Sequence, residues 1–155
     1  MPERIQKSPA AVVKELYDAF NAKDMARMRA CWAEDAVYCS PGDGYRREGV
    51  DAIMEYTANG LIRPFPDARG TIQKMVVDGD QVVMDVTVEG TNTGSYARVT
   101  ETGGIAEIPP TNRRFIGHGV EWFTVKDGKV VEDRIFFDRM ELLTQLGLMP
   151  ALPKA

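Results

Sequence analysis

The sequence is poor in the residues that hold metals and close disulfides: among 155 residues there are one histidine, His118, and two cysteines, Cys31 and Cys39. The cysteines lie in a stretch that reads as helix followed by strand, without the spacing of a zinc or redox motif. Both are expected as buried thiols in a reducing compartment. A metal-dependent hydrolase is not expected, because one imidazole and no fitting cysteine pair make no ligand set. The N-terminus, MPERIQKSPAA, has no apolar run behind its charges, and no stretch of about 18 apolar residues follows elsewhere. A cytoplasmic protein without a membrane segment is predicted. Clustered positive charge is also missing: 19 Lys and Arg against 23 Asp and Glu leave a net charge of -4. Phosphate-backbone binding needs basic residues in a patch, so no nucleic-acid partner is expected, and Arg113-Arg114 reads as a solvated strand start.

What is present is an ordinary globular composition, 44% apolar and 27% charged, at a length that fits a single domain over residues 1–155 with room for a cavity in its core. Ser8-Pro9 starts a helix running to about Ala22, with Val12, Val13, Leu16, Tyr17 and Phe20 at helical spacing. Asp24 caps a second, short helix ending near Ala33, with Met25, Met28, Cys31 and Trp32 on its inner stripe. A short strand at 36–39, a loop at Pro41-Gly42-Asp43-Gly44 and a third helix over Val50 to Leu61 come next.

From Thr71 the period changes to two. Ile72 to Val77 and Val82 to Val88 form a hairpin around Asp78-Gly79-Asp80, and Arg114 to Val125 with Lys129 to Asp138 form a second around Asp127-Gly128. Between them, Gly90 to Pro110 is read as a loop region with a mobile part near Thr102-Gly103-Gly104. Met140 to Leu146 closes as a helix stopped at Gly147. Helices first and long strands after them predict an α+β fold, an antiparallel sheet with the N-terminal helices covering one face.

Several phrases carry a family resemblance over nearly the whole chain. They are Phe65-Pro66-Asp67, Gly90-Thr91-Asn92-Thr93-Gly94, Ile108-Pro109-Pro110-Thr111, Asp127-Gly128-Lys129-Val130-Val131-Glu132, and Asp138 followed by Leu142-Leu143-Thr144-Gln145-Leu146-Gly147. In these the sequence resembles the SnoaL-like polyketide cyclases, or ester cyclases, of the nuclear-transport-factor-two-like superfamily. The resemblance implies a cone-shaped, cystatin-like fold around a curved antiparallel sheet, a homodimer or higher homo-oligomer, and catalysis without metal or organic cofactor. Two departures stand out: Asn92 and Arg134 replace the His and Trp more usual at those places, which alters the pocket if they line it.

Asp138 follows Ile135-Phe136-Phe137, where desolvation would raise its pKa toward that of a general acid or base, and the resemblance points to the same position. The competing role is an N-cap for the last helix. His118 lies between Gly117 and Gly119, whose missing side chains leave space for a ligand; otherwise it is a core or surface histidine. A two-residue turn at Asp127-Gly128 puts His118 and Asp138 on opposite faces. A three-residue loop puts them on one face, diagonal and about 7–8 Å apart at the backbone, with Val120, Trp122, Val130, Glu132, Arg134 and Phe136. Tyr17, Trp32, Tyr38 and Tyr56 are candidates to line the cavity from the helices and first strand, and Asn92 from the loop. Asp67, Asp85 and Glu89 read as turn, cavity or surface carboxylates.

The leading functional expectation is an intramolecular aldol-type cyclase acting on a small hydrophobic carbonyl compound such as a polyketide. In it Asp138 takes the proton and His118 or a tyrosine holds the enolate. Isomerisation of an unsaturated ketone, as in ketosteroid isomerases, and epoxide hydrolysis start from the same pocket. A non-catalytic binding protein for a hydrophobic metabolite is the alternative from another class.

Overall fold

The computed structural model describes residues 6–41, 45–99, 102 and 105–149. Helix α1 (Pro9–Asn21) starts where expected: the Ser8 side chain accepts from the Ala11 amide at 3.2 Å, and Val12, Val13, Leu16 and Ala19 are buried on one side. Asp24 likewise caps α2 (Met25–Ala30) by accepting from the Arg27 amide. This helix stops before Cys31, and Trp32 already belongs to a strand, β1 (Trp32–Ser40). A short partner, β2 (Tyr45–Glu48), is paired antiparallel to it. Its sequence, Tyr-Arg-Arg-Glu, has no apolar alternation to announce a strand.

The third helix, α3 (Val50–Tyr56), runs on into a π-helical turn (Thr57–Ile62). The wider backbone there suits Gly60, because a Cβ at that position would meet the Tyr56 ring at 2.6 Å. The first long hairpin is β3 (Arg69–Asp78) with β4 (Gln81–Thr91). The region expected as loop contains a small hairpin, β5 (Tyr96–Val99) with β6 (Ile105–Ile108), which forms its own two-stranded sheet. Gly103-Gly104, part of the expected mobile tip, and Gly42-Asp43-Gly44 of the first loop lie outside the described residues, as does the start of the N-terminal segment. The second long hairpin, β7 (Arg114–Lys126) and β8 (Lys129–Phe137), leads into α4 (Arg139–Gln145).

The main sheet has six strands in the order β2-β1-β8-β7-β4-β3. All neighbours are antiparallel except β1 and β8, which run parallel. Irregular register in the β1/β8, β3/β4 and β7/β8 pairs marks where the sheet bends, since an extra residue in one strand kinks it and increases twist. The concave side is closed by α1, α2 and α3. Met28, Ile53, Val82, Met84, Val86, Phe123 and Val130 form the core between the layers.

The β7/β8 register decides what faces inward. The turn has two residues, with Asp127 at φ 51° and Gly128 at φ 73° and Lys126 opposite Lys129. Val130 pairs with Val125 and Glu132 with Thr124, so Val131 is an extra, bulged residue. The three-residue loop considered above is therefore not present. The bulge reverses the alternation and buries both Val130 and Asp133.

Candidate functional site

A cavity of about 200 Å³ lies between the concave face of the sheet and α1, α3 and the π-helical turn. On β7 the inward positions are Phe115, Gly117, Gly119, Glu121 and Phe123; on β8 they are Asp133, Ile135 and Phe137. The two glycines leave part of the floor as bare backbone. The walls are mainly apolar and aromatic, which makes the two acidic side chains conspicuous.

Glu121 is 8% exposed and Asp133 3%. Phe123 is the residue opposite Asp133, so the two acids are diagonal neighbours on one face. The Tyr17 phenol, reaching across from α1, donates to Glu121 Oε2. Gly70 makes that reach possible, since a Cβ there would lie 2.8 Å from the Tyr17 ring. On the other side, Tyr38 of β1 is in register with Asp133, and its ring is 5.3 Å from that of Tyr56. Arg47, opposite Tyr38, stacks 3.7 Å over the Tyr56 ring.

Burial pushes the Glu121 carboxyl up to about 7, offset in part by the Tyr17 hydrogen bond. Asp133 is held well above the usual carboxylate range, first by burial and then by the charges of Glu121, Cys39 and Glu132. Tyr17 and Tyr38 are both raised, again first by burial. Asp133 Oδ1 and Arg47 Nη1 are the buried side-chain polar atoms lacking a hydrogen-bond partner among the described residues. Such atoms are uncommon in folded proteins, and each calls for an explanation. For Asp133, which lines the cavity, a bound ligand supplies one.

The residues singled out from sequence divide cleanly. Tyr17, Trp32, Tyr38 and Tyr56 line the cavity. Val120, Trp122, Arg134 and Phe136 do share one face, as expected, but it is the convex one: Val120, Trp122 and Phe136 are 41%, 43% and 40% exposed. Arg134 lies 5.4 Å over the Phe136 ring and 3.9 Å from Glu132. Asn92 is buried away from the cavity, and its amide is used up in structure. It donates to the Pro64 and Gly94 carbonyls and accepts from the Thr111 amide and hydroxyl.

Asp138 and His118 are solvent-exposed. Both line the cavity and also a shallow depression on the convex face with Asp85, so they sit on the lip between the two. The Asp138 carboxylate caps α4, accepting from the Glu141 amide at 3.0 Å. Asp67 accepts from the Thr91 amide, which lowers its pKa. The residues missed were Glu121 and Asp133. Their signal was the position of charge along β7, where Arg114, His118 and Lys126 all fall on the even positions, leaving the odd set with Glu121 to the core.

A curved mixed sheet closed on its concave side by helices is the nuclear-transport-factor-two-like, ketosteroid isomerase-like fold. Within it, a profile of the SnoaL-like polyketide cyclases matches residues 10–146, and the chain belongs to that family. Among solved structures it is similar to IdmH from Streptomyces antibioticus, a candidate polyketide cyclase, at 29% identity over 91% of this chain and 99% of that one, with a TM-score of 0.73. It is also similar to AclR from Streptomyces galilaeus, a candidate hydroxylase, at 27% identity over 94% and 89%, with a TM-score of 0.74. A SnoaL-like protein from Jannaschia sp. CCS1, at 23% identity over 97% and 99% with a TM-score of 0.77, shares the fold. No curated protein matches significantly. No helix among the described residues is long and apolar enough to cross a membrane.

Proposed function

We propose that the protein is a cofactor-independent enzyme of the cyclase type. It would remove a proton next to a carbonyl of a small hydrophobic substrate and close a carbon–carbon bond by an intramolecular aldol step. The observation that carries this reading is Asp133 Oδ1, buried in the cavity wall without a partner beside a second carboxyl poised near neutrality. Two acids whose environments push their pKa values apart divide the acid and base roles between them.

Asp133, the more strongly raised, is the acid of the pair, and the proton it keeps forms a hydrogen bond to the substrate carbonyl oxygen. Glu121, near 7, takes the proton from the adjacent carbon as a carboxylate held by Tyr17. The carbon then attacks a second carbonyl folded against it, and the proton on Glu121 passes to the new alkoxide. Membership of a polyketide cyclase family and likeness to a candidate cyclase support a polyketide-like substrate. A cytoplasmic homodimer, its contact on the exposed convex face around Trp122, completes the proposal.

The test is hydrogen–deuterium exchange at the methyl group of 2-acetylnaphthalene, followed by NMR. Glu121→Gln and Asp133→Asn are each expected to slow enzyme-dependent exchange by about 10²-fold or more; unchanged exchange in both would end this assignment. A second reading keeps Asp138 as base with His118 as its partner, because both line the lip of the same cavity. Asp138→Asn separates the two: it abolishes exchange on that reading and leaves it intact on ours.

A further inference from the structure

A glycine inside a strand weakens it, and has three ordinary explanations: a left-handed or bulged backbone, a neighbour too close for a Cβ, or a ligand pressed against the main chain. At Gly119 the second applies, since a Cβ would lie 2.9 Å from the Phe136 carbonyl oxygen. Gly117 has neither of the first two. It stands in unbroken register opposite Val88, its φ is not positive, and a Cβ there would meet only ordinary contacts, the nearest at 3.7 Å. The missing side chain serves the cavity that Gly117 lines.

The surroundings of this bare spot are aromatic. Phe65 meets Phe115 edge-on at 4.8 Å and Tyr96 edge-on at 6.2 Å, with Phe137 also in the lining. At the other end of the same cavity is the unpartnered, 3% exposed Asp133. From Gly117 to Glu121, the nearer of the two acids, the strand covers about 13 Å at roughly 3.3 Å per residue, and Asp133, opposite Phe123, lies further along. A cavity of about 200 Å³ spread over that length is only about one flat ring in cross-section.

We propose that Gly117 is a specificity-determining residue, the seat for the flat, conjugated far end of an elongated aryl or polyenyl ketone whose carbonyl end is held between Glu121 and Asp133. This rests on the reading of Asp133 and Glu121 given above and adds the length and flatness of the substrate. The bare backbone at Gly117 lets a ring lie face-on against β7 with Phe115 and Phe65 at its edges.

The probes are a graded set of methyl ketones with one, two and three linearly fused rings: acetophenone, 2-acetylnaphthalene and 2-acetylanthracene. Binding is read by quenching of tryptophan fluorescence, and chemistry by methyl exchange in D₂O. In the wild type the three-ring ketone, the one long enough to reach position 117, is expected to bind tightest. Gly117→Val is expected to weaken it at least tenfold while acetophenone changes less than twofold. Gly117→Ala, whose methyl meets no close atom, guards against a folding defect and is expected to give a smaller loss of the same selectivity. Equal weakening of all three ketones, or none, in the folded variants overturns the proposal. Asp133→Asn keeps the two ideas apart: lost exchange with the length preference intact supports both. If exchange survives both that substitution and Glu121→Gln while the preference holds, the acid–base reading falls and the role of Gly117 stands.

Discussion

On the proposed mechanism, Glu121 and Asp133 tie catalysis to stability. Both carboxyls are raised in the folded state relative to their ordinary values, so folding favours their neutral forms. That contribution is complete below the unfolded pKa near 4.5 and is lost as pH rises through about 7 for Glu121. For Glu121 alone the shift amounts to about 3 kcal/mol. Melting temperature is therefore expected to fall between pH 5 and pH 8, and Glu121→Gln should flatten that slope by removing a titrating group. A wild-type melting temperature that rises over this window in calorimetry would mean the acids are not buried as described. Asp67 works in the opposite direction, its stabilising contribution present at neutral pH and lost on acidification, because the Thr91 amide favours its charged form.

The decisive element is the β7/β8 hairpin and its one extra residue. Because Val131 is the unpaired residue, deleting it would straighten β8 while leaving Glu132 opposite Thr124 and Asp133 opposite Phe123, so the acid stays inward; inserting one residue after Val131 is the change that allows residues 132–137 to slip by one and turn Asp133 toward water. Exchange activity is expected to survive the deletion of Val131 and to be lost in a variant that slips, where Asp133→Lys would be tolerated. At the start of α4, Asp138→Ala should cost about 1 kcal/mol through the lost cap, whereas Asp138→Asn should cost little, since both side chains cap well. Denaturant titration distinguishes them. Helix starts at Ser8 and Asp24, both long hairpins and, with the exception of Val130, which the bulge turns into the core, the residues sharing a face with Trp122 were legible from capping chemistry and alternation. Which face was inward was not. Val120 and Trp122 outweigh Gly117, Gly119 and Glu121 in hydrophobicity, so the more apolar set was read as the lining, although a cavity needs small residues on its floor. The bulge at Val131 leaves no mark in the sequence, because Val130-Val131 reads as continuous strand. Strand β2 was hidden for the same kind of reason, being paired by its neighbour and not by its own composition.

For the whole molecule, the convex face is the part that water alone would leave unsettled. Val120, Trp122 and Phe136 are joined there by Ile116 and Val76, all more than 40% or about 40% exposed, and contiguous apolar surface of this kind marks interaction sites. A dimer is expected in sedimentation velocity, with Trp122→Lys shifting it to monomer while leaving the cavity on the opposite side of the sheet able to bind 2-acetylnaphthalene. A wild-type monomer would remove the homodimer from the proposal.

The parallel pairing of β1 with β8 also sets the order of assembly during synthesis. The strand from Trp32 to Ser40 leaves the ribosome early, yet its neighbour in the sheet is not made until Lys129 to Phe137 emerge. Until then the nascent chain carries half of a hollow shell with its oily interior open, and no amount of waiting lets it close. Such long-range pairing folds slowly. A chain cut short before position 129 therefore lacks the strand that seals β1 to the rest of the shell, and is expected to leave that interior facing water.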